Sequence, residues 1–106
     1  MSQNIGRSIL RRGRVTPNTP AGGAAASAVT VTGIVSPAGA RVETAWGLTN
    51  TTPPDTGWGA ATNGGGLAET WTRNTTRPAA GTWWLWARRT DWPRTVGVAV
   101  APTVVT

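Results

Sequence analysis

Tryptophan placement constrains the fold of this chain more than any other feature. Seven tryptophans occur in 106 residues that include no Phe, Tyr, His, Cys or Lys, and three of them lie in the segment 82–89. In an extended strand, successive side chains point to opposite faces. One face would carry Trp84, Trp86 and Arg88, and the other would carry Trp83, Leu85, Ala87 and Arg89. Since both faces are apolar, we expect one in the core and the other against a partner, in preference to burial under the chain's own N-terminal segment.

The residue inventory argues against an enzyme. General acid–base and nucleophilic catalysis draw on His, Cys, Lys, Tyr and paired carboxylates, and this chain has only four carboxylates, spread over turn and strand positions. They are Glu43, Asp55, Glu69 and Asp91. A two-carboxylate glycosidase site is formally available, but zinc, iron and calcium sites lack their ligand patterns. We therefore expect a non-enzymatic protein with no metal and no cofactor.

The N-terminal segment 1–26 has the composition of an extended arm. It contains Arg7, Arg11, Arg12 and Arg14 without any acidic residue, followed by a linker rich in Thr, Pro, Gly and Ala. Four of the six net positive charges belong to it, because six arginines face four carboxylates in residues 27–106. Ile5, Ile9 and Leu10 supply a small apolar foothold. The prediction is a basic arm at 1–26, dispensable for folding, and one domain at 27–106.

Short strands separated by turn residues follow the arm. Period-two alternation marks strands at 28–35 and 41–48, with Val42, Thr44, Trp46 and Leu48 on one face of the second. Further strands are predicted at 67–73, 82–89 and 95–101, separated by turns rich in Gly and Pro. No helix signal and no stretch long enough to span a bilayer is present. The pattern indicates an all-β, antiparallel sandwich of about seven short strands with an extended N-terminal arm.

The hairpin region 78–101 resembles the last hairpin of bacterial and phage immunoglobulin-like domains. A Pro/Gly/Thr turn at 78–82 leads into the aromatic strand, and a polar turn at 90–94 leads into the valine strand. The segment 42–58 is similar to a recurring piece of immunoglobulin-like modules in tailed-phage virion proteins. The resemblance covers residues 28–106 and implies an Ig-like β-sandwich. It places Trp83, Leu85 and Ala87 inward on the penultimate strand and makes Trp46 a core tryptophan. The chain departs from the family at Arg89, where a small residue is usual, and in lacking a corner tyrosine.

Three functions compete on these observations. The leading one is a structural virion protein, a head decoration or accessory subunit anchored to a major capsid or tail protein, with homo-oligomerisation possible. The second is nucleic-acid binding, with the arm arginines on phosphates and outward tryptophans stacking on bases; the mildly basic domain argues against it. The third is a carbohydrate-binding module with Trp84 and Trp86 as platform, which leaves the arm unexplained. No membrane partner is expected, and the location is the virion.

The partner-binding residues predicted for the virion protein belong to the arm and to the outward face of the tryptophan strand. They are Ile5, Arg7, Ile9, Leu10, Arg11, Arg12, Arg14, Trp84, Trp86 and Arg88. Trp71 is expected in the core beside Trp46, while Trp58 and Trp92 either cover the ends of the sandwich or contact the partner.

Overall fold

In a computed structural model, the chain forms two antiparallel sheets packed face to face. The structure describes residues 13–63, 68–91 and 94–106. These residues form no helix and nine short strands. The strands are β1 Arg14–Pro17, β2 Ala28–Ser36, β3 Val42–Gly47, β4 Gly59–Ala60, β5 Thr62–Asn63, β6 Thr70–Thr76, β7 Gly81–Arg89, β8 Val96–Val98 and β9 Thr103–Val105. The predicted all-β antiparallel sandwich is confirmed, with nine strands instead of about seven.

The strand order of the two sheets is that of an immunoglobulin sandwich. The first sheet runs β1-β2-β6-β5, and the second runs β4-β3-β7-β8, with β9 also paired to β7. Read in chain order, these are the A-B-E-D sheet and the C-F-G sheet of the immunoglobulin arrangement, with β4 as an additional edge strand beside the third strand. Strand β7 is the centre of the second sheet, because β3 pairs along one side of it and β8 and β9 follow each other along the other side.

The core lies between the inner faces of the sheets, and Leu85 and Ala87 of the tryptophan strand face it, as the resemblance to immunoglobulin-like domains implied. Leu85 and Ala87 are 1% and 0% exposed and belong to the main apolar cluster. Trp71 of β6 is 2% exposed, and its indole N–H donates to the carbonyl of Ile34 at 3.0 Å. The predicted core position of Trp71 is therefore confirmed, and Trp46 packs against the same cluster while half-buried.

An arginine on the inner face fastens the two sheets to each other. The guanidinium of Arg73 on β6 donates to the carbonyl oxygen and the hydroxyl of Thr44 on β3, at 2.9 and 2.8 Å. Thr44 is 1% exposed, so these bonds satisfy polar atoms that water does not reach. Arginine suits this position because one guanidinium nitrogen, Nη1, carries two N–H groups and makes both bonds.

The predicted boundary at residue 26 is wrong, because the last part of the supposed arm is built into both sheets. Strand β1 pairs with β2 from Arg14↔Ser36 to Pro17↔Gly33, and the Val15 side chain is 4% exposed in the core. Residues 23–25 then pair with the end of β9: Gly23 donates to Val104 at 3.2 Å and Ala25 to Thr106 at 3.0 Å. The composition of this segment concealed these contacts, since they are made mostly by the backbone. Residues 1–12 lie outside the described part of the chain.

The turn after residues 23–25 is held by Arg77. Its guanidinium donates to the carbonyl of Ala21 at 3.1 Å, to the hydroxyl of Ser27 at 2.8 Å and to the carbonyl of Ala28 at 3.0 Å. The backbone N–H of Arg77 also donates to the carbonyl of Ser27 at 2.8 Å. One side chain from β6's end therefore fixes the connection between the N-terminal segment and β2.

Deleting residues 1–26 should destabilise the domain strongly, contrary to the expectation from composition. The deletion removes β1, the bonds of residues 23–25 and the buried Val15 side chain, which by itself contributes about 1.5–3 kcal/mol. The loss approaches the total stability of a small domain. A chain lacking only residues 1–12 keeps all of the described strand pairing and serves as the control. Thermal melts followed by circular dichroism check this, and equal midpoints for the two truncations would contradict it.

Candidate functional site

One end of the sandwich collects most of the arginines of the described residues. The beginnings of β1, β3, β6 and β8 lie at this end, together with the ends of β2 and β7. The antiparallel registers show this arrangement: Arg14↔Ser36, Ile34↔Thr70, Val42↔Arg89 and Arg88↔Val96. We call this the basic end. It carries Arg14, Arg41, Arg88, Arg89 and Arg94, together with Glu43, Glu69 and Asp91.

The charge of the chain is therefore unevenly distributed. Five arginines and three carboxylates give the basic end a net charge of +2, while Arg73, Arg77 and Asp55 elsewhere give +1. The remaining three positive charges of the total of +6 are the arginines within residues 1–12, which precede Gly13 in the sequence. Gly13 itself lies at the basic end, where a side chain at this position would collide with the Arg89 guanidinium.

A groove of about 560 Å³ opens at the basic end. Its walls come from β3, from the end of β7 and from the hairpin that leads into β8. They consist of Glu43, Arg88, Arg89, Thr90, Arg94, Thr95 and Val96. Arg89 is 2% exposed and lies deepest, whereas Arg94 is exposed and Val96 is 46% exposed. The groove therefore combines positive charge, hydroxyl groups and one apolar wall.

Arg88 is held in a fixed orientation on one wall of this groove. Its Nη2 lies 2.7 Å from Glu43 Oε1 and its Nε donates to the same oxygen at 2.9 Å. This is the only salt bridge among residues 13–63, 68–91 and 94–106. The guanidinium carbon also lies 4.2 Å from the ring centroid of Trp58, within the range of a cation–π contact. Two neighbours thus orient a side chain that stays 40% exposed.

The hairpin that forms the opposite wall is fastened to Arg41 and to the end of β7 by hydrogen bonds, two between backbone groups and one to a side-chain carboxylate. Arg89 N–H donates to Thr95 O at 2.9 Å, Thr90 N–H donates to Arg41 O at 3.1 Å, and Arg41 N–H donates to Asp91 Oδ2 at 2.9 Å. Within the part of the chain that the structure describes, the buried hydroxyl of Thr95 has no hydrogen-bond partner. Sequence reasoning identified this hairpin at 90–94 but did not assign Arg94, Thr95 or Val96 to a site, since nothing in the sequence shows that the turn lies beside Arg88.

Trp86 was predicted to contact a partner, but the structure buries its ring. Its ring does lie on the outward face of β7, but it is only 4% exposed, and the loop after β3 lies against it. The indole N–H donates to the carbonyl of Thr49 at 3.0 Å. Gly47 makes the close approach possible, since a Cβ there would lie 2.8 Å from Trp86 Nε1. The glycine and the Pro-Pro sequence at 53–54 were the available signals, and among the described residues the loop after β3 covers the ring.

The other predicted contact residues are distributed differently. Arg14 is exposed at the start of β1, Trp84 is half-buried, and Arg88 is partly exposed in its ion pair. Ile5, Arg7, Ile9, Leu10, Arg11 and Arg12 lie outside the described residues, as does Trp92. The structure therefore brings Arg88 and Arg14 to the same end of the sandwich and separates them from Trp84, which lies further along β7.

A second, smaller pocket of about 330 Å³ lies near the opposite end of β7. Trp46 and Trp83 line it together with Leu48 and three threonines of the loop 49–56. Trp83 was predicted to be a core residue, but it is half-buried, because it lies beyond the last pair between β3 and β7 and pairs only with Thr103 of β9. Its indole N–H donates to Ala79 O at 2.7 Å.

The described residues contain no group of three or more potential metal ligands, and no helix among them could span a membrane. Compared with family models and with curated proteins, the chain matches none.

Replacing Trp86 should cost stability and not only binding. Trp86→Ala removes a buried ring and its hydrogen bond, so we expect the free energy of unfolding to fall by about 3–5 kcal/mol. Trp84→Ala, which removes a half-buried neighbour on the same face, is the control and should cost clearly less. Thermal or urea melts of the two purified variants check this. A Trp86→Ala variant as stable as Trp84→Ala would show that the loop does not cover the ring.

Proposed function

We propose that this chain is a non-enzymatic structural virion protein of a tailed phage, a head decoration or accessory subunit that docks on a major capsid or tail protein. The observation that carries the proposal is the concentration of charge at one end of the sandwich. The groove at that end and the arginine-rich N-terminus would act together as the anchor. Arginine suits this role because its guanidinium pairs bidentately with carboxylates and keeps its charge at any physiological pH.

The fold and the composition support a binding module over an enzyme. The strand order is the one that immunoglobulin-type modules use, and the resemblance of the segments 42–58 and 78–101 to virion modules points the same way. The full sequence contains no His, Cys, Lys or Tyr. A sandwich that presents a basic end and lacks these catalytic residue types is suited to binding another protein in an assembly.

Particles of the phage that encodes the chain should contain it in amounts stoichiometric with a shell or tail protein. We expect mass spectrometry of purified particles to detect it and electron microscopy to place its basic end against the particle. A chain lacking residues 1–12 should fold but bind the particle at least about tenfold more weakly, since each lost charge-assisted contact is worth about 1.5–3 kcal/mol. Absence of the chain from purified particles would refute the proposal.

Nucleic-acid binding is the second candidate, and the gathering of arginines at one end favours it. In that case the four predicted phosphate contacts of Arg7, Arg11, Arg12 and Arg14 would give a log–log salt slope of about −3 to −4. Burial of Trp86 removes one of the two outward rings expected to stack on bases. A nanomolar, salt-sensitive affinity of the full chain for DNA or RNA would reverse the ranking.

Carbohydrate binding is the third candidate, at a different site from the one predicted from the sequence. The predicted platform of Trp84 and Trp86 is lost because Trp86 is covered. The observation that keeps this candidate is the pocket in which Trp46 and Trp83 lie beside threonine hydroxyl groups. Binding of neutral glycans that is abolished by Trp83→Ala would favour it over the virion role.

A further inference from the structure

We infer that the groove at the basic end binds an acidic peptide segment of a protein partner. A carboxylate of that segment would lie between Arg88 and Arg94, and an adjacent apolar side chain would lie against Val96. This inference rests on the proposed function and deepens it, because it names the chemistry that the docking partner presents.

The donors of the groove are suited to a carboxylate. Arg94 is exposed and has no ion pair or hydrogen bond with the other described residues, so its guanidinium is available. Arg88 uses Nε and Nη2 on Glu43, which leaves its Nη1 free to donate to a ligand. Donors that are charged or already fixed in place make short, strong bonds to a carboxylate.

The neighbours of Arg88 fix its orientation and so reduce the entropy that is lost when a ligand binds. Arg88 lies between the carboxylate of Glu43 and the face of Trp58. Since its rotamer is already restricted in the free protein, little side-chain entropy is lost when a ligand arrives. The hydrogen bonds that join the hairpin to the backbone of Arg41 fix the other wall in the same way.

The surroundings favour an acidic peptide over a nucleic acid. Glu43 lines the groove, and Glu69 and Asp91 lie at the same end, so the local net charge is only +2. A polyanionic backbone would place further phosphates near these carboxylates, whereas a peptide presents single charges. Val96, 46% exposed beside Arg88, offers an apolar contact that suits a peptide side chain.

The test is a titration of the full chain with short capped peptides, followed by calorimetry at low salt. The probe is a peptide in which glutamate and valine alternate, and its control has glutamine in place of glutamate. A short oligothymidylate tests the nucleic-acid alternative. We expect binding of the glutamate peptide and at least about tenfold weaker binding of the glutamine peptide and of the oligonucleotide, as expected for loss of a charged hydrogen-bonded pair.

Matched arginine variants locate the site. Arg94→Gln should weaken binding of the glutamate peptide at least about tenfold. Arg41→Gln removes the same charge from an exposed residue at the same end that does not line the groove, and it should change the affinity less than about threefold. Melting curves of both variants confirm that they are folded. Equal losses for the two variants, or binding of the glutamine peptide as tight as that of the glutamate peptide, would overturn the inference.

Failure of this inference can be separated from failure of the proposed function. If Arg94→Gln docks on particles as tightly as the unmodified chain, the groove is not the contact but the virion role stands. If the glutamate peptide binds with the expected specificity and the chain is absent from particles, peptide binding by the groove is supported and the virion role is refuted. Tighter binding of the oligonucleotide than of the glutamate peptide overturns the inference and favours the nucleic-acid role.

Discussion

The sandwich depends on one segment of backbone that bonds to both sheets. Residues 14–17 pair with β2, and residues 23–25 pair with the end of β9 in the opposite sheet. Strand β1 also lies so close to β8 that a side chain at Gly97 would collide with the carbonyl oxygen of Val15. A chain without disulfides and with a small core gains much from such a bridge, because each backbone group buried there would otherwise lack a partner.

The arginines divide into those that hold the fold and those that face outward. Arg73 joins the sheets and Arg77 fixes the connection into β2, and both satisfy backbone carbonyls. Arg89 is buried under Gly13. By contrast, Arg41 and Arg94 are exposed at the basic end. The domain therefore presents less positive surface than its number of arginines suggests, because Arg73, Arg77 and Arg89 are used inside the fold. The exposed arginines of the described residues lie mainly at the basic end. Recognition at the basic end depends on position more than on total charge.

The second apolar face of β7 was the main ambiguity of the sequence, and the loop after β3 resolves it. A face that carries Trp84 and Trp86 needs a cover or a partner. The chain supplies part of the cover itself, because Gly47 leaves room for the ring of Trp86 and Thr49 accepts its N–H. This second small apolar layer leaves only 4% of Trp86 exposed. Trp84, half-buried, is what remains at the surface.

The sequence by itself determined the fold class and the strands β2, β3 and β7, because alternation and turn residues act locally. Alternation left either face of β7 available for the core, and only the resemblance to immunoglobulin-like domains implied that Leu85 and Ala87 face inward. The sequence did not determine β1, since Pro, Gly and Ala make that segment look like a linker while its bonds come from the backbone. Only the tertiary structure decided that Trp86 is covered and that Arg88, Arg94 and Val96 share one groove. Those facts depend on strand register and loop path between residues far apart in the chain, and no local pattern encodes them.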